Sequence, residues 1–97
     1  MNNEEQIVYG RHIKANGSTK KVNPKNGSTF TLTELQEIVG GYIELIYFDT
    51  NIMVVNEEGK LNKLPINEKA TDMYIDRFGD RGAIVGDVII CPLVMIE

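Results

Sequence analysis

The groups able to do chemistry in this 97-residue chain are few and far apart: one histidine, His12, one cysteine, Cys91, and two serines, Ser18 and Ser28. Nucleophilic catalysis by a Cys/His pair needs both groups in one pocket. Cys91, however, lies in the apolar run VIICPL and reads as a small buried hydrophobe. His12 follows Arg11 in an extended segment, where a solvated or sheet-face position is expected. Ser18 and Ser28 sit in Gly-containing turns, where hydroxyls serve backbone hydrogen bonds. The sequence contains no C-x-x-C, H-E-x-x-H or D-x-D pattern for a metal. Gly40-Gly41 comes after a helical pattern and before a strand, the reverse of a phosphate-binding loop. Carboxylate pairs such as Glu44 with Asp87 remain, while Glu57-Glu58 in a turn reads as solvated. The expectation is a protein that is not an enzyme, with no catalytic residue, metal or cofactor.

Binding chemistry has more support, because charge is unevenly spread. The formal net charge is −4, yet no acidic residue falls between Glu5 and Glu34, where Arg11, Lys14, Lys20, Lys21 and Lys25 lie. A basic arm thus precedes an acidic body. Such asymmetry fits contact with an anion, or docking of the arm on its own body or on a neighbouring subunit. The arm lacks the interleaved aromatics of a single-strand nucleic-acid platform, so nucleic acid is not the expected partner. An anion site would draw on Arg11, Lys14, Lys20 and Lys21, with Arg11 foremost because its planar fork grips phosphate or carboxylate bidentately. Tyr42 would offer a ring face and Glu44 an acceptor. Asn67 and Thr71 would add polar groups beside the free N–H donors of a helix start. These residues make one site only if the arm, residues 40–44 and residues 67–71 line a common concavity, within one chain or across a subunit interface. The structural alternatives are a rim ion pair for Glu44, a helix cap for Asn67 and a helix-face hydroxyl for Thr71.

The elements that must position these groups can be read from periodicity and turn chemistry. Ile7–Ile13 and Thr19–Val22 form a hairpin across Ala15-Asn16-Gly17-Ser18, since Asn-Gly favours positive φ. Asn26-Gly27 after Pro24 makes a second turn. Thr31-Leu32-Thr33-Glu34 has the spacing of a capping box, and Leu32, Leu35, Ile38 and Val39 share one helical stripe ended by Gly40. Tyr42–Phe48 is apolar on both faces and reads as a central strand. Ile52–Val55 returns beside it. Asn67 caps a second helix carrying Ala70, Met73, Tyr74 and Phe78, and Gly79 stops it. Ala83–Cys91 is the last strand, with a bulge expected at Gly86-Asp87.

The fold class is therefore α+β: a small antiparallel sheet of about four or five strands with two short helices packed on it. Residues 1–97 read as one domain, with a basic hairpin arm over 1–30, a body over 31–91 and a C-terminal edge segment over 92–97. Leu35, Ile38, Val39, Ile43, Leu45, Met73, Tyr74, Phe78, Val88 and Ile90 are the expected core, in one cluster. Leu93-Val94-Met95-Ile96 reads as an unpartnered apolar edge, which together with the charge asymmetry points to a homo-oligomer. No apolar run approaches the roughly 20 residues that span a bilayer. The polar start MNNEEQ and the single cysteine fit a cytoplasmic protein.

Four blocks in order carry a resemblance: Val39-Gly40-Gly41-Tyr42-Ile43-Glu44, Val54-Val55-Asn56-Glu57-Glu58-Gly59-Lys60, Leu64-Pro65-Ile66-Asn67-Glu68-Lys69-Ala70-Thr71 and Ile84-Val85-Gly86-Asp87. With them the chain resembles, over roughly residues 30–91, the family catalogued as domain of unknown function 3846. The resemblance implies a phage or mobile-element setting in gut bacteria and brings no activity, substrate or catalytic residue. The resulting expectation is a non-enzymatic accessory binding protein. Its role would be counter-defence, by sequestering an anionic nucleotide-like signal or by blocking a host protein. The alternative is a regulatory or structural protein–protein interaction module without an immune target.

Overall fold

The computed structural model describes residues 9–97. Five antiparallel strands run in chain order as β1 (Gly10–Ile13), β2 (Thr19–Val22), β3 (Ile43–Phe48), β4 (Asn51–Asn56) and β5 (Val88–Pro92). Two helices, α1 (Leu32–Val39) and α2 (Glu68–Phe78), complete the α+β architecture. The sheet order is β2-β1-β5-β4-β3. The first strand is expected to start at Ile7, and its first two residues lie outside the described part of the chain.

Local chemistry explains each element. In the β1–β2 hairpin Gly10 faces Val22 and Ile13 faces Thr19, with Gly17 at φ +98° in the turn. Thr31 and Glu34 form the reciprocal capping box of α1, and Gly40 closes that helix in the left-handed region at φ +83°. Asn67 caps α2 by accepting from the Ala70 N–H.

The helices lie on opposite faces of the sheet, so the core has two layers instead of the single cluster expected. Ile52, Val54, Ile89 and Cys91 pack with Leu35 and Val39 of α1 and with Phe30. The alternate residues Met53, Val55, Val88 and Ile90 pack with Ala70, Met73 and Tyr74 on the α2 side. The period-2 alternation of strand side chains produces this division. It also corrects the place of Tyr42–Phe48. That strand is apolar on both faces because each helix shelters one of them, but it is β3, an edge of the sheet. The central strands are β4 and β5, whose runs Ile52–Val55 and Val88–Cys91 are continuously buried. Such uninterrupted apolar runs are expected of strands covered on both sides.

The C-terminal segment corrects a second expectation. Leu93–Met95 is a single 3-10 turn, not a strand. Phe30 donates its N–H to the Met95 carbonyl at 2.7 Å, and Glu97 donates back to Phe30 at 3.1 Å. This backbone is already partnered, and Met95 and Ile96 pack on the α1-side core.

Candidate functional site

Three irregular segments converge at one end of α2. Residues 65–67 run antiparallel to 84–86, with the Asn67 N–H on the Ile84 carbonyl at 2.8 Å and the Gly86 N–H on the Pro65 carbonyl at 2.7 Å. The Thr71 hydroxyl accepts from the Ile84 N–H at 2.8 Å and donates to the Ile84 carbonyl at 3.2 Å. The turn after β4 is fixed by Asn56, which donates to the Val39 carbonyl at 3.0 Å and accepts from the Glu58 N–H at 2.8 Å. Two glycines permit the close approach. A Cβ on Gly59 would stand 2.7 Å from Val85, and one on Gly86, at φ +80°, would stand 2.8 Å from Leu64. Close backbone approach of this kind is what glycine permits.

Between these segments and β3 opens a cleft of about 220 Å³. Val55 and Ile84, both buried, form its floor with Tyr74. Glu44 of β3 and Glu57 of the turn after β4 line it with carboxylates, and Lys60 of the same turn and Arg81 of the loop after α2 line it with cations. Lys60 Nζ lies over Gly82, 3.4 Å from where a Cβ would be, so both cations share a wall. Among the described residues, Arg77 pairs with Asp49 and His12 Nε2 lies 3.1 Å from Asp87, and within them none of the four cleft charges has an ion-pair partner. The arrangement is bipolar: separated carboxylates and cations around an apolar floor.

The residues expected to form one anion site are divided among three places. Arg11 and Lys21 lie over the Tyr9 ring, at 5.9 and 4.7 Å from its centre, and Arg11 also donates to the Tyr9 hydroxyl at 3.2 Å. Lys20 is exposed on β2, opposite His12, and Lys14 stands where the hairpin turn begins. Tyr42 and Glu44 belong to the other edge of the sheet. Three strand spacings of about 4.8 Å, roughly 14 Å in all, separate β1 from β3. The arm and residues 40–44 therefore do not share a concavity. Tyr42 lines a second, more open hollow of about 280 Å³ with Gln36 and Asn62, and of these residues Glu44 alone reaches the cleft beside β3. Among the described residues Glu44 has no partner for the expected rim ion pair.

Asn67 and Thr71 are occupied internally. Asn67 is fully buried, its amide donating to the carbonyls of Ile13 at 2.9 Å and Gly86 at 2.8 Å while its oxygen accepts from Ala70 at 3.1 Å. Together with the Thr71–Ile84 bonds, these hydrogen bonds pin α2 to the sheet and loop. Asp87 does similar work for the arm, accepting from the Ala15 N–H at 3.0 Å and lying 3.1 Å from His12 Nε2. Cys91 is completely buried, and desolvation pushes its thiol up to about 11, the opposite of an activated nucleophile. Glu34 is held below the ordinary glutamate range, first by the Thr31 N–H and then by the Lys25 N–H, both donating to its carboxylate at 2.8 Å.

Glu57, Lys60, Tyr74 and Arg81 are the cleft residues that sequence reasoning missed. Each reads singly as a solvated turn residue or a core ring, and their proximity depends on the 65–67 and 84–86 pairing. The one usable signal was the pair Gly59 and Gly86, each within a block that carries the family resemblance.

The model of a family described as a domain of unknown function (DUF3846) matches residues 12–94. No curated protein and no solved structure matches the chain. No helix among the described residues is long and apolar enough to cross a membrane.

Proposed function

The chain belongs to the family known as domain of unknown function 3846, and we propose that it acts there as a non-enzymatic accessory binding protein. The binding surface is the cleft between β3, the 56–64 turn and the 79–87 loop. The observation that carries this reading is the set of four charges, Glu44, Glu57, Lys60 and Arg81, that line the cleft with Val55, Tyr74 and Ile84 and have no ion-pair partner among the described residues. At about 220 Å³ the cleft is smaller than the roughly 300 Å³ at which pockets for drug-sized ligands begin. A small molecule with both a cationic and an anionic group on an apolar body matches its size and charge better than a nucleotide does. The resemblance suggests a phage or mobile-element setting, and within it the proposed role is counter-defence, by withholding such a molecule or by blocking a host protein.

A second reading, a protein–protein interaction module, is favoured by the edge strand β3, where Tyr47 is 56% exposed beside the half-buried Ile43 and Leu45.

Native mass spectrometry of protein purified from its host tests the first reading. Wild type is expected to retain a small adduct that Lys60→Glu and Arg81→Glu both lose while staying folded. Adducts that survive both charge reversals would place the ligand elsewhere.

A further inference from the structure

We propose that β3 is a self-pairing edge and that two chains join there into one continuous sheet. Among the described residues no strand pairs with the outer side of β2 or of β3, and these two edges differ in character. β2 carries the exposed Lys20 and Lys21, and lysines on an edge strand discourage strand addition. β3 presents Ile-Glu-Leu-Ile-Tyr-Phe, with Glu44 as its single charge.

The register follows from the hydrogen bonds already made. Glu57 donates its N–H to the Tyr42 carbonyl at 2.9 Å, which places Tyr42 in a hydrogen-bonded pair with β4. Alternation then turns the backbone groups of Glu44, Ile46 and Phe48 toward β4 as well. Those of Ile43, Leu45 and Tyr47 face outward. In a continuous antiparallel sheet, directly opposed side chains point to the same face. Two copies of β3 can therefore pair only with like parity facing like. The register centred on Leu45 is the one that satisfies every outward group: Ile43 opposite the partner's Tyr47, Leu45 opposite the partner's Leu45, and Tyr47 opposite the partner's Ile43. Each pair exchanges both of its N–H···O bonds.

Side chains agree with this register. Ile43, Leu45 and Tyr47 share the α1 face, so the new cross-strand neighbours there are aliphatic or aromatic. On the other face Glu44 stands opposite the partner's Ile46, so no charge directly opposes a like charge. The same arrangement applied to β2 would set lysines beside lysines. The dyad is perpendicular to the sheet and puts both clefts on the α2 face, with Glu44 of each at the seam. Pairing β3 with β2 of another copy would instead be head-to-tail and would extend without closing.

Analytical ultracentrifugation of the full chain, wild type and two variants, tests the proposal. Tyr47→Pro removes an outward N–H without touching the β4 ladder, a substitution that edge strands tolerate. Tyr47→Lys adds an edge lysine of the kind that β2 carries and β3 lacks. Wild type is expected to sediment as two chains, and both variants as one chain with unchanged circular dichroism. In wild type, amide exchange at Ile43, Leu45 and Tyr47 should slow as concentration rises, a readout that holds even if a variant fails to fold. A wild type that stays single at high concentration would overturn self-pairing and leave the edge to a strand from another protein. Species larger than two chains, folded variants that still dimerise, or a dimer whose three amides exchange freely would also overturn it.

Discussion

Asn67 shows how one residue ties a helix to the sheet. Its amide bridges the carbonyls of Ile13 in β1 and Gly86 before β5, while its oxygen caps α2. Asn67→Ala removes the cap and strands two buried carbonyls, so a loss of about 3 kcal/mol is expected, read from the urea midpoint. A midpoint equal to wild type would show that water replaces the amide. Glu34 gives a pH signature. Its folded pKa is lowered by the Thr31 and Lys25 N–H groups, so its stabilisation is present above the unfolded value and is lost as pH falls through the folded one. Glu34→Gln should therefore be less stable than wild type at neutral pH, with the difference shrinking below the ordinary glutamate range. A difference that stays constant through that range would contradict the assignment. Cys91, buried and pushed up to about 11, should resist alkylation in the native protein and react readily once unfolded.

Among the elements, α1 anchors one core layer and α2 the other. Leu35 is 2% exposed between α1 and the sheet, and Leu35→Ala should destabilise by about 2–5 kcal/mol in a denaturant titration. Most elements were legible in the sequence, because the signals that set them are local: the capping box at Thr31 and Glu34, Gly40, the Asn67 cap and the Asn16-Gly17 turn. The order of strands was not legible, because it depends on non-local pairing. β3 has the look of a central strand only because α1 and α2 cover opposite faces. The better marker of centrality was the unbroken burial implied by Ile52–Val55 and Val88–Cys91. The C-terminal run was misread for the same reason: its partner, Phe30, lies far away in sequence.

At the scale of the whole molecule, sheet order separates the functional candidates. The basic arm occupies one edge, where Arg11 and Lys21 lie over Tyr9, and the cleft opens near the other. Of the residues expected from sequence to form the anion site, only Glu44 lines that cleft, because the other charges arrive on turns brought together by tertiary pairing. The proposed ligand of the cleft is a small bipolar molecule. The most direct measurement is an amide NMR titration with two probes, free leucine and pyrophosphate. Leucine is expected to shift the amides of Glu44, Glu57, Lys60 and residues 81–85 saturably, and Arg81→Glu should abolish those shifts. Pyrophosphate shifting the arm amides around Arg11, Lys14, Lys20 and Lys21, with the cleft silent to leucine, would contradict the account and return the ligand site to the basic edge.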